Sequence, residues 1–163
     1  MVNRMKLLAR RACAPVNGPA SALAAVLFGV ALLAPMPAQA ASGVSIDKPW
    51  MRFIIRATPA AGYFTLKNGG DEPATLLSAS SPACGMLMLH QSRQVNGVDT
   101  MRPVKSVTVP PHGTVSFAPG GYHLMCMQPQ PSMQAGTSAM VTLQFEGGQS
   151  LTQSFPVKGP GGQ

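Results

Sequence analysis

Residues 86–101 read MLMLHQSRQVNGVDTM, two alternating stretches around the dipeptide Asn96-Gly97. A type I′ turn needs positive φ at both central residues, and Asn-Gly meets that need better than almost any other pair. With this turn, Val95 opposes Val98 and Ser92 opposes Met101. His90 then lies on the same face as Met101, as its diagonal neighbour. Such neighbours stand about 7–8 Å apart at Cα, within reach of long side chains.

The same grammar runs outward from this hairpin. Gly and Pro punctuate the chain every few residues, with apolar and polar residues alternating between them, which signals short strands in a sandwich or barrel. The expected strands are roughly Val44–Ile46, Trp50–Arg56, Ala61–Asn68, Ala74–Ser80, Met86–Val95, Val98–Val109, Thr114–Ala118, Tyr122–Met127, Ser138–Phe145 and Ser150–Val157. Turns are expected at Asn68-Gly69-Gly70-Asp71, at Pro110-Pro111-His112-Gly113 and at Pro119-Gly120-Gly121, with a tight hairpin turn at Gly147-Gly148. No segment after residue 40 has the pattern of a good amphipathic helix, and no internal repeat is visible.

The first forty residues have a different character. Arg4, Lys6, Arg10 and Arg11 form a basic start, Ser21 to Leu33 is apolar and uncharged, and Ala38-Gln39-Ala40 supplies the small residues of a signal-peptidase site. The pattern is that of a secretory signal cleaved after Ala40. The apolar run falls short of the roughly 20 residues that a spanning helix needs. The chain then divides into a signal peptide over 1–40, one β-domain over 41–157 and a Pro/Gly-rich tail over 158–163. The formal charge of +7 is largely carried by the signal, since four of the twelve basic residues and none of the five acidic ones lie there. No Lys/Arg run remains in the mature chain to support nucleic-acid binding.

Eight methionines remain after the signal: Met51, Met86, Met88, Met101, Met125, Met127, Met133 and Met140. Met86, Met88 and His90 alternate on one strand and therefore share a face, as do His123, Met125 and Met127 on another. Met86 and Met88 read as core packing rather than as ligands. His90, Met101, His123 and Met125 would form a site of two imidazoles and two thioethers if the second strand lies beside the hairpin. Soft, largely neutral donors of this kind favour Cu(I), whereas Zn takes thiolate, imidazole or carboxylate and Mg or Ca takes oxygen. His112, in its Pro-Pro-His-Gly context, reads as a solvated turn residue, and Trp50 and Tyr122 as packing or supporting residues.

The spacing His90, ten residues, Met101, twenty-one residues, His123, one residue, Met125 resembles the motif of the periplasmic copper chaperones of the PCuAC family. Met101-Arg102-Pro103-Val104, Pro119-Gly120-Gly121-Tyr122-His123-Leu124-Met125 and Trp50-Met51-Arg52 are similar to the family's flanks. The resemblance covers roughly Val44 to Val157. It implies a single-domain, all-β, cupredoxin-like β-sandwich or Greek-key barrel, periplasmic and binding Cu(I) near its surface. It further implies a monomeric carrier that delivers copper to the Cu-site subunit of cytochrome oxidase, alongside Sco-type proteins. Periplasmic copper storage or resistance would use the same site.

Cys13 leaves with the signal, so Cys84 and Cys126 remain, in an oxidising compartment where a disulfide can persist. Many relatives lack cysteines beside the motif. Cys126 has the parity opposite to His123 and Met125. The pair could form a disulfide, remain free as thiols, or add a ligand. A blue-copper electron carrier needs His₂Cys with a weak axial Met, and here the cysteine follows His123 rather than preceding it. No Ser/His/Asp arrangement, catalytic base or nucleotide loop suggests an enzyme. A metal-free secreted adhesion domain is the remaining rival.

Overall fold

The turn at the centre of the hairpin has the expected geometry. In the computed structural model, which describes residues 43–162, Asn96 and Gly97 both have positive φ, 52° and 80°. They join β4 (Cys84–Val95) to β5 (Val98–Pro103) in the register Val95↔Val98 and Ser92↔Met101. The other strands are β1 (Val44–Arg52), β2 (Ala60–Asn68), β3 (Ala74–Ser80), β6 (Val107–Val109), β7 (Thr114–Phe117), β8 (Tyr122–Pro129), β9 (Ser138–Phe145) and β10 (Ser150–Lys158). They form one sheet in the order β5-β4-β8-β7-β2-β1-β10-β9-β3-β6, and β8 also pairs with β2. The expected signal peptide, its cleavage site after Ala40 and Cys13 lie outside the described residues.

Three expected strands are replaced by different arrangements. Val98–Val109 is two strands rather than one. Pro103 has no N–H to offer the ladder, and the chain leaves β4 after one last bond from Val104 N–H to the Leu89 carbonyl, 2.9 Å. It then crosses to pair Val107 and Val109 with β3, where both side chains are buried. Val44–Ile46 and Trp50–Arg52 are conversely one strand, interrupted by a register shift between Asp47 and Trp50. Lys48 there has φ 50° and precedes Pro49, so the irregularity sits where the sequence removes a donor. The expected extension to Arg56 is loop, with Thr58 N–H bonded back to the Ile55 carbonyl. The hairpin at Gly147-Gly148 closes through a short 3₁₀ turn, Glu146–Gly148. β10 runs through Lys158, which pairs with Arg52 of β1.

The core is built from the inward-facing residues of this folded sheet. Leu66, Leu76, Val109, Leu124, Val141, Leu143 and Phe155 are fully buried. Phe64 stacks on Phe117 with centroids 4.2 Å apart and meets Phe155 edge-on at 5.5 Å, both favoured aromatic geometries. Alternation along β4 and β8 sends Leu87, Leu89, Leu124 and Cys126 into this core, and therefore sends the residues between them to the outer face. That face carries the histidines and methionines.

Candidate metal centre

Four strands assemble the outer face. β8 pairs antiparallel with β4, and His90 lies directly opposite His123, Met88 opposite Met125 and Met86 opposite Met127. β5 adds Met101 on the far side of β4, opposite Ser92. β2 adds Ala61 opposite Met125, and places Tyr63 two residues further along the same face. Gly62 allows this approach of β2 to β8, because a Cβ there would stand 2.8 Å from Met51 Sδ and 3.1 Å from Leu124 Cβ.

The imidazole rings of His90 and His123 are 5.8 Å apart between centroids, inclined by 49°. Both residues are buried although they face outward. Tyr63 lies over His123 at 6.5 Å and Trp50 against Tyr63 at 4.9 Å. Met101, in contrast, is 60% exposed. Met101, His123 and Met125 line one open cavity of about 650 Å³ together with Arg52, Tyr63 and Asp99. His90 is not among the residues lining that cavity. It lies behind it, paired with His123.

A hydrogen bond sets the tautomer of His123. His123 Nδ1 is 3.2 Å from the Gly121 carbonyl, which can only accept, so Nδ1 carries the proton and the Nε2 lone pair is left for a ligand. The same carbonyl accepts from Ser92 N–H at 3.0 Å, tying the turn before β8 to β4. His90 Nδ1 is buried with no hydrogen-bond partner. Burial, and secondarily the neighbouring His123, hold the His90 pKa below the usual imidazole value. An imidazole kept neutral retains the lone pair that a metal needs. Burial also raises the Tyr63 hydroxyl pKa, an effect opposed by the Arg52 guanidinium, which sits 5.6 Å from the ring centroid.

Among the described residues no three His, Cys, Asp or Glu side chains come together as a metal site. Any ion held by the two imidazoles would therefore draw its remaining donors from thioethers, which suits a soft monovalent ion and not Mg, Ca or a structural Zn. Cys84 and Cys126 are joined in a disulfide with Cα atoms 5.4 Å apart.

Several other residues depart from their sequence reading. Met86 and Met88 are not core: they lie on the outer face, and Met86 is 57% exposed. His112 is exposed in its turn, as expected, and pairs with Asp71 through Nε2 at 2.9 Å. Tyr63, Arg52 and the Gly121 carbonyl were not legible as site components. Only the pairing of β2 with β8 brings the first two there, although the alternation Trp50, Arg52 and Ala61, Tyr63 on paired strands carries a weak signal of it.

Comparison with known proteins gives the same fold. The copper-bound PCuAC domain from PmoF2 superimposes with a TM-score of 0.60 at 24% identity, over 72% of this chain and 94% of that one. The solution structure of CuI-DR1885 from Deinococcus radiodurans matches with a TM-score of 0.53 at 29% identity, over 71% of this chain and 75% of that one. The fold is thus the cupredoxin-like all-β arrangement expected from the sequence. In sequence, the protein named "Putative lipoprotein Lxx21020" of Leifsonia xyli subsp. xyli is 33% identical over 147 residues, 85% of this chain and 88% of that protein. The family model "Putative lipoprotein LpqE-like" matches residues 44–157. With that match spanning all ten strands but the last residue of β10, the chain belongs to the LpqE-like family.

Proposed function

We propose that this chain is an exported Cu(I)-binding metallochaperone whose ion is held by His90, Met101, His123 and Met125. The observation that carries the reading is the cross-strand pair His90↔His123, with Met125 two residues along β8 and Met101 on the adjoining strand. The donor chemistry supports Cu(I), and so do the structural relatives, one described as copper-bound and one as CuI. Cu(I) is the cargo, and the exposure of Met101 suits its release. An acceptor's ligands can displace that thioether first, then Met125, while the buried imidazoles hold the ion until last. By resemblance to PCuAC proteins, the acceptor is the Cu-site subunit of cytochrome oxidase or a Sco-type partner, in the periplasm. Export by the 1–40 signal gives a mature chain starting at Ala41, which the mass of the exported protein tests. A mass carrying acyl chains would indicate instead the lipoprotein form for which the relatives are named.

The test is a Cu(I) titration of the mature protein against a competing chelator. One tight, colourless equivalent is expected. Met101→Leu and His123→Ala should each weaken it by about tenfold or more, which is about 1.4 kcal/mol or more of binding free energy. Unchanged affinity in both variants would remove the assignment.

A further inference from the structure

Beyond the His/Met cluster, β4 and β8 carry a ladder of thioethers. Met86 faces Met127, and Met88 faces Met125. All four outward positions below the histidines on this strand pair are therefore methionine. The inward positions between them are Leu87, Leu89, Leu124 and Cys126, all buried. The core thus obtains its apolar volume from the other face, and Met86 is 57% exposed. Outward pairs elsewhere in the sheet include polar ones: Thr142 bonds to Thr152 at 2.9 Å, and Thr75 to Thr108 at 3.2 Å.

Directly opposed residues hold their Cβ atoms about 4.5–5.5 Å apart, and diagonal ones somewhat further. Each methionine has three rotatable bonds beyond Cα, so the sulfurs of Met86, Met88 and Met127 can turn towards one point without moving the backbone. Three neutral thioethers select soft d¹⁰ monovalent ions and discriminate against Zn, Mg and Ca.

We infer that Met86, Met88 and Met127 form an auxiliary thioether site for Cu(I) or Ag(I), adjoining the His/Met centre through Met125 and weaker than it. The inference extends the copper reading to residues outside the four ligands. An ion there moves on by ligand exchange alone. A lone pair of Met125 replaces one from Met127 or Met88, and the ion keeps its charge throughout.

Ag(I) is the probe, because it is soft, monovalent and not oxidised in air. Native mass spectrometry of the mature protein should show two bound Ag(I), and methionine methyl NMR should show Met86, Met88 and Met127 shifting in the second, weaker step. The triple variant Met86→Leu, Met88→Leu, Met127→Leu should lose the second equivalent and retain the first. One equivalent only in the wild type, or a second one surviving in the triple variant, overturns the inference. Should the triple variant fail to fold, the wild-type methyl shifts and the surface change Met86→Leu decide the matter, an unaltered weak step overturning the inference. In His123→Ala the tight equivalent should weaken while the three methyl shifts persist. Persistence of both would leave the ladder standing and remove the His/Met assignment.

Discussion

At the scale of single residues, the protein brings two imidazoles to within 5.8 Å of each other and disfavours the charged form of one of them, His90. His90 is buried beside His123, and both circumstances favour its uncharged form, so its pKa lies below the ordinary 6.5. Protons and Cu(I) compete for the same lone pair. Copper affinity should therefore be flat above about pH 6.5 and fall as pH drops through the His90 value, as chelator competition across pH 7.5 to 4.5 would measure. The apo protein follows the same direction. An unfolded chain takes up this proton first, so the stability due to neutral His90 is full above about 6.5 and is lost as pH falls towards the folded value. His90→Gln should flatten that part of the pH–stability curve, and an unaltered slope would show that another group causes it. The positions of His90, Met101, His123 and Met125 were legible because strand alternation and one Asn-Gly turn determine which side chains share a face. The burial of the histidines was not, because it involves contacts distant in sequence: Tyr63 of β2 lies by His123, and Trp50 of β1 packs against Tyr63.

At the scale of elements, β4 and β8 are the frame on which the donors stand. The disulfide Cys84–Cys126 joins them across a sequence separation of 42. Closing a loop of that length reduces the entropy of the unfolded chain, an effect of ~4 kcal/mol in the chain-entropy account. Cys84→Ala with Cys126→Ala should lower unfolding free energy in urea by about 2–4 kcal/mol, with little change in copper affinity if the ladder alone keeps register. A large loss of affinity in the folded variant would mean that the disulfide also positions the ligands. Gly62→Ala tests the other flank of β8. The new Cβ meets Met51 Sδ and Leu124 in a filled core, so a loss of ~1–3 kcal/mol is expected in the same assay. Sequence alternation located seven of the ten strands closely. It missed the break after Pro103 because Val98–Val109 keeps its apolar pattern through a change of partner, from β4 to β3. It divided β1 because Lys48-Pro49 reads as a stop, whereas pairing with β2 carries the strand across it.

At the scale of the whole molecule, the His/Met face and the hydrophobic core are opposite surfaces of the same strands, so at the proposed site binding and folding would couple without sharing residues. An ion that binds only the folded chain stabilises it by mass action. At free Cu(I) about 1,000 times Kd, the gain is ~4 kcal/mol. For a β-domain of roughly 120 residues that corresponds to a rise in Tm of ~10–20 °C. Met101→Leu should leave the apo Tm nearly unchanged, since Met101 is exposed on the edge strand β5. It should reduce the copper-induced rise, because each tenfold loss of affinity removes ~1.4 kcal/mol. Leu143→Ala acts the other way round. Leu143 is fully buried in β9, on a strand that does not touch β4, β5 or β8 in the sheet, so the apo protein should lose ~2–5 kcal/mol. Its copper-induced gain should match the wild type, since effects at separate sites add. Calorimetry of the wild type, Met101→Leu and Leu143→Ala, each with and without Cu(I), therefore separates the two surfaces. If Leu143→Ala reduced the copper-induced gain as much as Met101→Leu, the core would be part of the binding equilibrium, and release of copper to an acceptor would require partial unfolding rather than ligand exchange at an open face.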